Sequence, residues 1–246
     1  MILQIENLCK SFGGIMAVNN VSFGIDEGEI SSIIGPNGAG KSTLFNLLTG
    51  HLEKDAGKII FKGEDISGLP PYKICRKRIG RSFQLVNLFQ RMTVFDNIQT
   101  AILAGQGLSL KFIRSAERMR RNETQEVLKS IGLAGRASAY ASDLSYGEQR
   151  RLELGITLAN RPEIVFLDEP CAGLTDEETN TMVSLIRKLP EERGVTVLMV
   201  EHKMDVIFSI SEKIRVLYEG KIIFEDVPEE VKKSDEVLRV YLGEQA

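Results

Sequence analysis

The sequence predicts an α/β fold: a phosphate-loop core with a mixed sheet, an inserted α-helical subdomain and an N-terminal antiparallel β region. Three observations predict it. A glycine-rich run, Gly35-Pro36-Asn37-Gly38-Ala39-Gly40-Lys41-Ser42-Thr43, stands between an apolar strand pattern at 30–34 and a helical pattern at 42–48. Two further apolar runs, at 164–167 and 195–200, read as strands buried on both faces, as in a parallel sheet. Between about 85 and 150 the strand pattern gives way to charged, helix-periodic sequence.

The composition suits one large domain or a core with an insertion: 246 residues, 26% charged and 43% hydrophobic, with a net charge of −3. There is no basic excess, so no nucleic-acid partner is expected. The three cysteines, Cys9, Cys75 and Cys171, are scattered without metal-ligand spacing and read as free thiols in a reducing compartment. No apolar run approaches the roughly 18 residues of a membrane span, and no basic segment precedes an apolar one at the N-terminus. The chain reads as soluble and cytoplasmic, so any membrane role goes through a partner.

Taken in order, 2–8 alternates apolar and polar residues as a strand does, and 21–25 reads as a second strand. Phe12 lies in the loop between them. An aromatic there is most often core, although Phe12 is also placed as a platform for a base. After the glycine-rich run and its helix come a strand at 57–63, a short basic helix at 72–78 opened by Pro70-Pro71, and a strand at 79–83 closed by Gln84. Thr93 and Asp96 mark a helix start, and a long charged helix is expected over 116–131. The α/β pattern resumes with an amphipathic helix at 148–159, the strand at 164–167, a helix at 176–189 and the strand at 195–200. A hairpin at 214–218 and 221–224 and a charged helical tail at 228–242 complete the chain. The expected division is therefore one domain, 1–246, whose α/β core (1–84 and 151–246) carries a helical subdomain at 85–150.

The glycine-rich run fits G-x-x-x-x-G-K-[ST] at every fixed position. Gly35, Gly38 and Gly40 let the backbone take conformations closed to residues with a Cβ, so its N–H groups turn inward as an anion nest beside a helix N-terminus. Lys41 adds a mobile positive charge for β- and γ-phosphates, and the Ser42 hydroxyl is placed to hold Mg²⁺. Asp168 and Glu169 follow the strand at 164–167, where ligands gather at the carboxyl edge of a parallel sheet. Asp168 suits a metal and Glu169 the polarisation of an attacking water. His202 ends the strand at 195–200 in the same way and is placed to donate to a γ-phosphate oxygen. The amide of Gln84 is placed to touch the metal or its water.

Leu144-Ser145-Tyr146-Gly147-Glu148-Gln149 adds the final motif. With the phosphate loop, Gln84, Asp168-Glu169 and His202 in that order, the whole chain resembles the ATP-binding-cassette (ABC) ATPases. More finely, Arg81-Ser82-Phe83-Gln84, Leu88-Phe89, Met92-Thr93-Val94, Arg150-Arg151-Leu152, Pro170-Cys171-Ala172-Gly173-Leu174 and Tyr241-Leu242-Gly243 resemble the ATPase subunits of branched-chain amino-acid importers. The resemblance implies a RecA-like phosphate-loop core that binds ATP and Mg²⁺ through residues 35–43. It implies that Phe12 stacks on adenine, Gln84 senses the γ-phosphate, Glu169 is the catalytic base and His202 the γ-phosphate switch. Ser145 and Gly147 would contact ATP bound to an opposite ATPase subunit, which makes the chain half of a homo- or heterodimer on a permease. The alternative within the resemblance is a non-transport cassette acting as an ATP-gated clamp on a macromolecule, although the chain has neither the coiled coils nor the basic face of such proteins.

Three positions depart from the usual family pattern. Tyr146 and Glu148 stand where Gly and Gln are usual, and Thr175 stands in place of an Asp, with Asp176 one residue beyond. Ser145-x-x-Glu148 is also a capping box. Glu148 is therefore expected to reach back to the cap backbone and leave the phosphate face.

Overall fold

The computed structural model describes residues 1–82, 88–105 and 120–242. Its strands are β1 (Leu3–Phe12), β2 (Ile15–Ile25), β3 (Ile30–Ile34), β4 (Ala56–Phe61), β5 (Glu64–Asp65), β6 (Ile79–Arg81), β7 (Ile164–Asp168), β8 (Thr196–Val200), β9 (Lys213–Tyr218) and β10 (Lys221–Asp226). Its helices are α1 (Lys41–Leu48), α2 (Pro71–Arg76), α3 (Val94–Gly105), α4 (Arg121–Ser130), α5 (Tyr146–Leu158), α6 (Asp176–Arg193), α7 (Met204–Ile210), α8 (Pro228–Lys233) and α9 (Asp235–Leu242).

The main sheet has the order β10-β9-β3-β8-β7-β6. Neighbours pair in parallel from β9 to β6, and β10 turns back antiparallel on β9, so the sheet is mixed as expected. Every residue of β3, β7 and β8 is buried, which is why these strands are mostly apolar; the buried Ser31 and Ser32 of β3 are bonded to Glu29 and Ser211. Side chains alternate between two layers. Ile164 and Phe166 face α1 and the antiparallel sheet β2-β1-β4-β5. Val165 and Leu167 face the other way, onto residues of α3, α5 and α6. Both layers meet at β3, whose carboxyl end opens into the glycine-rich loop.

The strands β1 and β2 run past the predicted 2–8 and 21–25. Asn7 and Asn20 have positive φ, and the register between β1 and β2 shifts around them. These bulges interrupt the two-residue period that reveals a strand in sequence. The helix predicted to stop before Pro190 continues to Arg193 and closes on Gly194, whose N–H meets the carbonyls of Leu189 and Pro190. Proline removes one ladder bond here without breaking the last turn. The predicted tail helix is two helices, parted at Ser234, whose backbone is extended. Of the long helix expected over 116–131, α4 covers 121–130, and residues 116–119 lie outside the described residues. The proposed boundary at 150/151 falls within the continuous α5.

A buried arginine joins the two sheets. Arg215, on β9, is fully enclosed. Its Nη2 donates to the Gly24 carbonyl at 2.5 Å and to Glu225 Oε1 at 3.1 Å, and it lies 3.6 Å from Glu29 Oε1. The guanidinium also stands over the Phe23 ring, 4.8 Å from its centroid.

Candidate functional site

A cleft of about 340 Å³ opens at the carboxyl edge of the main sheet. Its walls are Ala17, residues 37–43, Glu169, Val200 and His202. The loop is shaped by close backbone approach. A Cβ on Gly35 would overlap the Leu217 carbonyl, and one on Gly40 (φ 106°) would overlap that of Ala17. Neither position admits another residue without moving a neighbouring strand. Lys41 opens α1 and is nearly buried; its Nζ donates to the Gly35 and Pro36 carbonyls at 2.6 and 2.9 Å. The ammonium is thus folded over its own loop, on the rim where a phosphate would lie.

Glu169 and His202 meet across this cleft, with His202 Nε2 3.2 Å from Glu169 Oε1. Each is placed through its backbone. Glu169 has φ 49°, a left-handed conformation that is uncommon for a residue with a side chain. It is held by its N–H on the Val200 carbonyl (2.9 Å) and by Arg150 Nη2 on its own carbonyl (3.1 Å). His202 follows Glu201, a buried carboxylate that accepts from the N–H groups of Cys171 (2.7 Å), His202 (2.8 Å) and Lys203 (3.2 Å). Glu201 thereby ties the end of β8 to the loop after β7.

Asp168 does not line the cleft. It is 7% exposed and paired with Arg81 Nη2 at 3.3 Å. Arg81 Nη1 donates in turn to Asn46 Oδ1 (2.7 Å) and Thr49 Oγ1 (2.8 Å), so one guanidinium ties β6 and α1 to β7. Burial pushes the Asp168 carboxyl above its ordinary range, and Arg81 pulls it back. Among the described residues, no three His, Cys, Asp or Glu side chains cluster as a metal cage. Mg²⁺ is commonly held by one or two protein oxygens together with substrate phosphates. Of the expected ligands, Ser42 lines the cleft, whereas the Asp168 carboxylate is turned onto Arg81.

Ser145 and Gly147 are also away from the cleft, at the N-terminus of α5. Glu148 behaves as its spacing predicts: its Oε2 accepts from the Ser145 N–H at 3.0 Å, while Ser145 Oγ accepts from the Glu148 N–H at 3.2 Å. Arg136 Nε holds the other carboxylate oxygen at 3.3 Å. Phe12 is 48% exposed at the end of β1, with Lys10 Nζ 5.5 Å from its ring centroid, so it is not a core residue. Gln84 lies outside the described residues. The roles of Arg81, Arg150 and Glu201 escaped the sequence reading. Their one signal is a charged residue within or just beyond a buried strand, or on the apolar side of a helix, and that signal does not name a partner.

A strand–loop–helix phosphate cradle, faced by a carboxylate and an imidazole on neighbouring strand ends, defines a nucleotide-hydrolysing cassette. The chain belongs to the ABC transporter family, whose model matches residues 18–172, and within it is a Mg²⁺-dependent ATPase. It is similar to the high-affinity branched-chain amino acid transport ATP-binding protein BraF of Pseudomonas aeruginosa, with 42% identity covering 99% of this chain and 98% of that protein. LivG of Escherichia coli K12, which carries the same description, is 39% identical over the same shares. Among solved structures, the ADP conformation of an ATP-binding cassette of an ABC transporter superposes with a TM-score of 0.87 (29% identity, 98% of both chains). A dimeric cassette in a post-hydrolysis state, bound to ADP and Pi, gives 0.78 (30% identity, 92% of this chain and 99% of that one).

Proposed function

We propose that this chain powers uptake of a small solute, branched-chain or other hydrophobic amino acids, through a membrane permease on whose inner face it sits. The observation that carries the catalytic part is the meeting of Glu169 and His202 across a cleft floored by the phosphate loop. Lys41 exchanges its bonds to the Gly35 and Pro36 carbonyls for phosphate oxygens, and backbone N–H groups of the loop hold the rest of the triphosphate. Phe12, exposed at the end of β1, stacks on the base. Bound Mg²⁺ supplies charge neutralisation at the phosphates. Glu169 takes the proton of the attacking water, and His202, released from Glu169, donates to the γ-phosphate.

Ser145 and Gly147 lie outside the cleft, which supports their serving the site of a second ATPase subunit. The dimeric relative shows that cassettes of this kind pair. The helical segment 85–150 is the part that moves with the permease. The permease docks in a cavity of about 410 Å³ between α2, β6 and α5, lined by Tyr72, Ile74, Cys75, Arg81, Ile156 and Asn160 among others. Ser82, two residues before Gln84 in the sequence, also lines it. No helix among the described residues is long and apolar enough to cross a membrane, so attachment is through this partner.

Glu169→Gln tests the catalytic reading. Turnover should fall about 10²–10⁴-fold, the weight of a positioned base, with nucleotide affinity retained. Near-normal turnover would remove Glu169 from the role. Co-purification of a polytopic membrane protein, with leucine uptake in reconstituted vesicles, tests the transport reading; bound DNA or ribosomes instead would overturn it.

A further inference from the structure

The N-terminus of α5 is already occupied by protein carboxylates. Its cap is closed by Glu148, as described above. Gly147, in the first turn of α5, packs against a second carboxylate, which comes from a different helix. Glu178 stands at the third position of α6, where its Oε2 accepts from the N–H of Thr175 and from Thr175 Oγ1, each at 3.1 Å, as the α6 capping box. Its other oxygen, Oε1, lies against Gly147, so closely that a Cβ there would overlap the carboxylate. The Thr175 cap above all, with a smaller contribution from Gly147, holds the Glu178 carboxyl below its ordinary range. One carboxylate thus bridges the first turns of two helices, with one oxygen on each. The Tyr146 ring stacks beside it on Gly173, in the loop that leads into α6.

An amide in the first turn of a helix is a place for an anion, and here that anion is internal. We propose that Glu178 competes with the γ-phosphate brought by the facing subunit: Oε1 must leave Gly147 before the phosphate can take that amide, so Glu178 sets the ATP concentration at which two subunits close. This rests on the reading that Ser145 and Gly147 serve the opposite site. Oε2 remains on Thr175 throughout, so α6 stays capped while the contact with α5 opens. The glycine at position 147 then has two reasons: room for the carboxylate in the open subunit and room for phosphate in the closed pair.

The test separates charge from capping. Gln also completes a capping box, so Glu178→Gln keeps α6 capped while removing the negative charge at Gly147. Thr175→Ala does the reverse. Both are made in the full chain carrying Glu169→Gln, which keeps ATP uncleaved. Self-association is followed by sedimentation against ATP concentration, alone and with any ATPase subunit that co-purifies. Binding of a fluorescent ADP analogue reports the phosphate loop separately. With Glu178→Gln, half-association should need on the order of three- to tenfold less ATP, the weight of one carboxylate at a helix N-terminus, with analogue affinity unchanged. Thr175→Ala should give no such drop. An unchanged or raised midpoint in Glu178→Gln, or an equal drop in Thr175→Ala, overturns the proposal. If ATP drives no association even in the Glu169→Gln parent while the analogue still binds, the shared-site reading itself fails and the proposal falls with it.

Discussion

Arg215→Met should unfold the protein sooner without altering its chemistry. The arginine is fully enclosed, with Glu29 (8% exposed) and Glu225 (29% exposed) as its counter-charges. Methionine fills comparable space but leaves the Glu29 carboxylate buried without its cation and the Gly24 carbonyl without its donor. Glu225 is exposed enough to rehydrate, so Glu29 dominates the loss. Removing one partner of a buried ion pair costs about 3–5 kcal/mol, which for a domain of this size lowers the melting midpoint by roughly 6–20 °C. Paired hydrophobic replacement leaves no orphaned charge, so Arg215→Met with Glu29→Met should recover much of that loss. Differential scanning calorimetry and urea titration of the wild type, both single variants and the double variant measure each term. A loss below about 1 kcal/mol in Arg215→Met, or a double variant no more stable than the single, would refute the view that an uncompensated carboxylate is what destabilises it.

Other consequences are more local. Asp55 accepts from Lys10 Nζ (2.8 Å), the Ser11 N–H (2.7 Å) and Ser11 Oγ (2.8 Å), and the Lys10 bond above all holds its pKa down, to about 2 against an ordinary 3.8. A depressed folded pKa means that its contribution is complete above the unfolded value and is lost as pH falls from about 3.8 through about 2. Carbon-detected NMR titration should place the Asp55 midpoint near 2, and Ser11→Ala should move it up; a midpoint at the ordinary value would contradict the contacts. Cys171 is buried, and burial pushes its thiol up to about 12, whereas Cys75 is exposed. Iodoacetamide at pH 8 should label Cys75 in the native protein and Cys171 only after unfolding, read by mass spectrometry.

Legibility followed how local each cause was. The phosphate loop, the runs that became β3, β7 and β8, and the Ser145–Glu148 cap are short-range patterns, and each forms where its spacing placed it. Thr93 likewise caps α3, its Oγ1 accepting from the Asp96 N–H at 3.0 Å. The outer reach of β1 and β2 was hidden because bulges at Asn7 and Asn20 break the period that a strand shows in sequence. The tie from Arg81 to Asp168 joins residues 87 positions apart, and that from Arg150 to Glu169 joins residues 19 apart. Only the parallel pairing of β6 with β7, and the packing of α5 on the sheet, bring such partners together. Glu178 was invisible for the same reason: nothing near position 147 in the sequence announces a carboxylate from another helix.

The left-handed backbone at Glu169 carries a cost for any residue with a Cβ, on the order of 1 kcal/mol, and glycine or asparagine would sit there more comfortably. Selection for heat resistance alone would therefore erode this position first. Variant libraries screened only for survival on heating should accumulate replacements at Glu169 that are sturdier and inert, while screens that also demand turnover should keep the acid and find their gains elsewhere.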